Sequence, residues 1–166
     1  MFDILRRLQL RESMEDLDYS STPKIARRVL NHWDDLNGFV ERGYAGFSLW
    51  EWPDLPEIRS PLYEGYGQAL ASLGINGSVI TSVNANALVL TPDSLVKVAA
   101  LADEFRPSGV RVYLTARFSA PIEISGLDTA DPLDAEVQAW WNAKIYEIYE
   151  HVPDFGGFVV KANSEG

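Results

Sequence analysis

The chain has 166 residues, 46% of them hydrophobic, which is enough to bury a core. Its formal net charge of −10 argues against nucleic acid and against anionic membrane surfaces as partners, because both want a basic face. With no cysteine, disulfides, thiolate chemistry and zinc fingers are excluded. Only two histidines remain as imidazole ligands, and neither a metal nor an organic cofactor is expected. No apolar run is long enough to span a membrane. The first seven residues lack the unbroken apolar core of a signal peptide, so the compartment stays open between a bacterial cytoplasm and secretion. The five Trp, seven Tyr and seven Phe offer flat faces that suit sugar rings, although core packing accounts for most of them.

In chain order, residues 2–11 read as a helix with Phe2, Leu5 and Leu8 near one face. An acidic irregular stretch runs to Thr22, and Pro23 breaks it. Residues 26–31 predict a first strand that ends in His32-Trp33-Asp34-Asp35. Residues 36–60, rich in Gly, Pro and Trp, predict a large loop. Pro61 opens a helix with Leu62, Tyr66, Ala69, Leu70 and Leu73 at helical spacing, and Gly74 and Gly77 bracket a turn. Residues 78–83 predict the second strand, ending in Asn84-Ala85-Asn86. Thr91-Pro92-Asp93 starts the next helix, with Leu95, Val98, Ala102 and Phe105 as its buried stripe. Val110, Val112, Leu114 and Ala116 alternate with polar residues in a third strand, which ends in Arg117. A loop over 119–130 follows. Asp131-Pro132 then caps a helix striped by Leu133, Val137, Trp140, Trp141, Ile145 and Ile148, with Lys144 at its edge. Gly156-Gly157-Phe158-Val159-Val160 reads as a fourth, buried strand that runs into Lys161, Asn163 and Glu165.

This βαβαβαβ order predicts a parallel sheet with right-handed crossovers. Four units are half of a TIM-type (β/α)8 barrel, so the expected fold is α/β: the first half of a parallel (β/α) barrel. Residues 1–22 form a leading helix and linker, and residues 23–166 form the N-terminal half of the barrel domain. Either a dimer closes it or the chain is a piece of a longer protein. The polar groups collect at the strand ends that build the functional face of such barrels. Glu165 is the candidate general acid, with an ion pair to Lys161 as the bland alternative. Trp33 is a ring-stacking platform or an aromatic packed under its own loop. Val83 is core or lines a small apolar niche. Asn84 binds ligand hydroxyls or shapes a turn, as does Asn86. Arg117 suits a carboxylate, and Asn163 lines the same edge. Asp34 and Asp35 form only a weak metal-binding pair, and Gly74 and Gly77 precede a strand, unlike a phosphate loop.

The motifs Val29-Leu30-Asn31-His32-Trp33-Asp34, Glu41-Arg42-Gly43-Tyr44-Ala45-Gly46, Gly74-Ile75-Asn76-Gly77, Val83-Asn84-Ala85, Ala130-Asp131-Pro132-Leu133-Asp134 and Asp154-Phe155-Gly156-Gly157-Phe158 through Lys161 to Gly166 resemble the α-glucuronidases of glycoside hydrolase family 67, in order and over nearly the whole chain. The resemblance implies an inverting enzyme of xylan breakdown on a (β/α)8 barrel. It would release α-1,2-linked glucuronic acid, or its 4-O-methyl ether, from short xylo-oligosaccharides. Small aldouronic acids would be its partners, and the full-length enzyme would be able to form a homodimer. Glu165 would protonate the departing xylose oxygen, Lys161 would contact the uronic acid, Trp33 would shape the sugar pocket, and Val83 would give the methyl group its niche. Asn84, Asn163 and Arg117 carry over as site-lining residues. The departures are the second carboxylate that inversion requires, which the family places further along the barrel, and Phe47, where a more polar residue is expected. The 166 residues alone are therefore expected to be inactive. Two other readings stand beside this one: a non-catalytic half-barrel that binds uronic acids, and a lyase or aldolase with Lys161 as a Schiff-base amine.

Overall fold

The computed structural model describes residues 2–15, 18, 20–84 and 86–160. Its framework is a four-stranded parallel sheet in the order β1 (Val29–Asn31), β2 (Gly77–Val79), β3 (Arg111–Ala116), β4 (Gly157–Val160). The connecting helices are α2 (Pro61–Ser72), α3 (Pro92–Phe105) and α5 (Ala135–His151). They are joined by α1 (Phe2–Leu10), which has no buried side chain, and a short α4 (Ala120–Ser125). Successive neighbours in parallel, with no reversal of order, require every crossover on the same face if each is right-handed. The side chains agree. Tyr66 of α2 meets Ser78 of β2, Trp141 of α5 meets Phe158 of β4, and Ile80, Val112 and Leu114 join the helices in one core.

Alternation along the strands sends Gly77, Tyr113 and Gly157 to the other face. There the Tyr113 ring lies where a β-carbon on its neighbours would stand: 2.6 Å from one added to Gly77 and 2.3 Å from one added to Gly156. These glycines are kept for close approach. Gly156→Ala is expected to cost about 1–3 kcal/mol through overpacking. Tyr113→Ala in the same background should recover part of the loss. Urea unfolding of the two single variants and the double variant measures this coupling, and additive costs would refute the clash.

The core stripe of α3 is as predicted: Leu95, Val98, Ala102 and Phe105 are all buried. The face of α2 differs from the expected one by a residue. Tyr63, Gly67 and Leu70 are buried, whereas Leu62 and Leu73 are exposed. Gly67 explains the shift, since a β-carbon there would sit 3.4 Å from the Phe105 backbone, so α2 and α3 touch through it. Asp134, not Asp131, caps α5 by accepting from the amides of Glu136 and Val137, which leaves Leu133 outside the helix and exposed. Lys144 is not at the edge but buried. Its ammonium donates to the Leu90 carbonyl at 2.8 Å and to Glu147 at 2.6 Å. The first two strands are shorter than predicted, and the expected loop over 119–130 contains α4.

The long segment 36–60 is a loop in its backbone but part of the core in its side chains. Trp50, Trp52 and Leu55 are buried. The Trp50 indole donates to the Ile80 carbonyl at 3.0 Å and packs edge-on against Tyr63 and Tyr66. This anchor ties the loop to the carboxyl half of β2.

Candidate active site

Pairing continues past the assigned strand ends and keeps them level. The His32 amide donates to the Val79 carbonyl, that of Ile80 to Tyr113, and that of Ser82 to Asp34. Thr81 and Thr115 exchange bonds, with Thr115 N–H donating to Thr81 Oγ1 and Thr115 Oγ1 to the Thr81 carbonyl. Ala116 pairs with Val160. The carboxyl ends of all four strands thus form one edge.

Asp34 organises the first strand end. Its carboxylate is buried and accepts from Ser48 Oγ at 2.6 Å and from the Leu49 amide at 2.6 Å, with His32 Nδ1 at 3.5 Å. Burial pushes this carboxyl up, but the bonds from His32, Ser48 and Leu49 together outweigh it and hold it below the ordinary value. The other His32 nitrogen bonds Tyr66, whose hydroxyl reaches Ser78 at 3.3 Å. Burial is the main cause that raises the Tyr66 hydroxyl. Asp35 next door shifts upward, first through burial and then through the charges of Glu41 and Asp34.

Between these residues and β2, a hairpin closes over 38–48. The Val40 amide donates to Gly46 and that of Ser48 to Gly38. The Glu41 amide donates to the Trp33 carbonyl at 2.7 Å, with Glu41 itself at φ 53°. That left-handed conformation costs a non-glycine residue about 1–3 kcal/mol. The Glu41 carboxylate receives the Asn84 amide nitrogen at 3.3 and 3.4 Å. Sequence reasoning missed Glu41 as a site residue. Its spacing carries no signal, and the partner lies 43 residues away.

Trp33 is 41% exposed, whereas the other four tryptophans are buried or half-buried. Val83 is half-buried beside Asn84. Asn86 takes the turn role, its side-chain oxygen accepting from the Leu88 amide. Arg117 bonds sideways to Ser119 at 3.1 Å and Glu123 at 3.0 Å, so a ligand carboxylate would have to compete with Glu123. Lys161, Asn163 and Glu165 lie outside the described residues. The structure thus joins the Glu41 and Asn84 side chains, ties the Glu41 amide to the Trp33 carbonyl, and leaves Arg117 engaged with α4. Among the described residues, no group of three or more His, Asp or Glu side chains is arranged to hold a metal ion.

Residues 7–166 match the family model described as the glycosyl hydrolase family 67 middle domain. The chain belongs to glycoside hydrolase family 67. It is 40% identical over 172 aligned positions to "Alpha-glucuronidase A" of Emericella nidulans, covering 99% of this chain and 20% of that protein. It is 41% identical to "Probable alpha-glucuronidase A" of Aspergillus terreus and of Aspergillus clavatus, covering 90% of this chain and 18% of each relative. The chain therefore spans about a fifth of the length of the curated relatives it matches. The family match runs through residue 166, past the described residues.

Proposed function

We propose that this chain is the first half of the catalytic (β/α)8 barrel of an α-glucuronidase that removes α-1,2-linked (4-O-methyl)glucuronic acid from xylo-oligosaccharides with inversion. The observation that carries the reading is the Glu41 carboxylate, only 9% exposed, hydrogen-bonded to the Asn84 amide and following the strand end that carries the exposed Trp33, at the carboxyl edge of a parallel sheet in a chain of this family. Further support comes from the uninterrupted strand order with helices packed on the same face, which is how barrels are built and doubly wound sheets are not. Among the described residues, β1 and β4 are the outer strands of the sheet, as a half-barrel requires.

In this reading Trp33 stacks on the sugar and Val83 forms the apolar niche for the methyl group. Asn84 donates to ring hydroxyls. Lys161 and Arg117 attract the uronate, which a surface of net charge −10 would otherwise repel. Glu165 is the general acid, and Asn163 lines the edge beside it. The general base, a carboxylate about 6.5–9.5 Å from the acid, belongs to a later strand end. The complete gene product is expected to release glucuronic acid from aldobiouronic acid, with the β-anomer appearing first by proton NMR. First appearance of the α-anomer, or no release, would refute the reading. The 166 residues alone should give no turnover, and turnover by them would overturn the placement of the base.

A further inference from the structure

Glu41 holds a conformation that glycine adopts freely and glutamate does not, with φ at 53°. Its side chain is only 9% exposed. A buried carboxylate is costly unless donors surround it, and it offers about four acceptor positions. Those present are weak. The Asn84 amide stands at 3.3 and 3.4 Å, and Nε of the exposed Arg42 at 3.8 Å. Asp35 adds negative charge beside it, with Asp34 next to Asp35. Among the described residues the Glu41 carboxylate thus has only long hydrogen-bond partners in an acidic setting, while Arg117 stands at the end of β3 and Lys161 follows β4 in sequence.

We infer that Glu41 reads sugar hydroxyls: its carboxylate accepts from a vicinal diol while Asn84 donates to the same ring, which turns the ring's own carboxylate away from the β1–β2 side toward β3 and β4. A uronate could not take the opposite orientation without meeting Glu41, Asp34 and Asp35 as like charges. A neutral diol supplies the missing donors without that repulsion, and bonds to a charged acceptor are the stronger kind. Strain retained at a buried polar residue beside a proposed site is what a binding role would preserve.

The inference rests on the uronoside reading above, and its test separates the two. In the complete gene product, Glu41→Gln and Glu41→Gly are assayed on an α-glucuronoside and on its 3-deoxy analogue, which breaks every vicinal pair on the ring. On the parent substrate both variants should lose about 10- to 100-fold in kcat/KM, the range for bonds to a charged group. On the 3-deoxy analogue they should differ from wild type by less than about threefold. Glu41→Gly relieves the backbone, so its melting temperature should stay within about 2 °C of wild type. Equal losses on both substrates, no loss at all, or a Glu41→Gly variant that melts well below wild type would assign Glu41 to the fold and overturn the inference. If Glu41→Gln does not fold, Glu41→Asp, which keeps the charge and withdraws the carboxylate, replaces it and should show the same dependence on the 3-hydroxyl. A wild-type protein that neither binds nor cleaves the glucuronoside refutes the proposed function and this inference together. Turnover without coupling to the 3-hydroxyl refutes this inference alone.

Discussion

Asp34→Ala is expected to destabilise the protein by about 2–4 kcal/mol and to disable the site with it. The carboxylate is 2% exposed and accepts two bonds of 2.6 Å from residues 14 and 15 positions away. Alanine would leave the Ser48 hydroxyl, the Leu49 amide and the facing His32 nitrogen short of a partner in a buried place, at about 1–3 kcal/mol for each group left unmade. The same bonds hold the hairpin that positions Glu41 against Trp33 and Asn84, so activity should fall further than stability alone predicts. The pH dependence has a definite sign. The folded Asp34 carboxyl lies below its ordinary value, so the folded state binds this proton less readily than the unfolded one. Its stabilisation is complete above an unfolded value of about 3.9 and fades as pH falls through the folded value. Asp35 has the opposite sign. Its carboxyl is raised, so ionising it costs the folded state stability as pH rises from the unfolded toward the folded value and above. Asp35→Asn should accordingly raise the melting temperature at pH 7, whereas Asp34→Ala lowers it. Thermal unfolding of both variants between pH 3 and pH 7 checks the pair, and the same sign for both would refute this account.

The strand-and-helix alternation was legible because helical and strand periods are carried by large apolar residues. Leu95, Val98, Ala102 and Phe105 fixed the buried face of α3 without ambiguity. The face of α2 was misread because its true contacts are Tyr63, amphipathic, and Gly67, which no hydropathy pattern marks as buried. Pro121 could have signalled α4, since it stands in the first turn of that helix. The loop over 36–60 was opaque for a different reason. Trp50 and Trp52 are core residues through partners far along the chain: Trp50 donates to Ile80, and the Trp52 carbonyl accepts from Lys97. At the proposed site, the strand-end rule pointed to Trp33, Val83 and Asn84. It did not point to Glu41, which sits in a left-handed turn, nor foresee that Arg117 would pair with Glu123 on a helix it had not predicted.

Glu165→Gln is expected to have the largest effect on catalysis, lowering kcat on aldobiouronic acid by about 10²–10⁴-fold in the complete gene product. The departing xylose oxygen would leave as an alkoxide, so cleavage requires a proton delivered as the bond breaks. An amide of the same shape cannot deliver it. The donor must hold its proton near neutral pH. Asp35 illustrates how such a carboxyl is raised in this chain, by burial and then by the charges of Glu41 and Asp34. Two signatures separate loss of an acid from loss of a merely structural carboxylate. An aryl glucuronoside with an acidic phenol needs little protonation, so the variant should lose less than about tenfold on it. The wild-type fall in kcat toward high pH should also vanish in the variant, since that limb reports deprotonation of the acid. A deficit of equal size on both substrates, with the high-pH limb retained, would place the general acid elsewhere on the barrel.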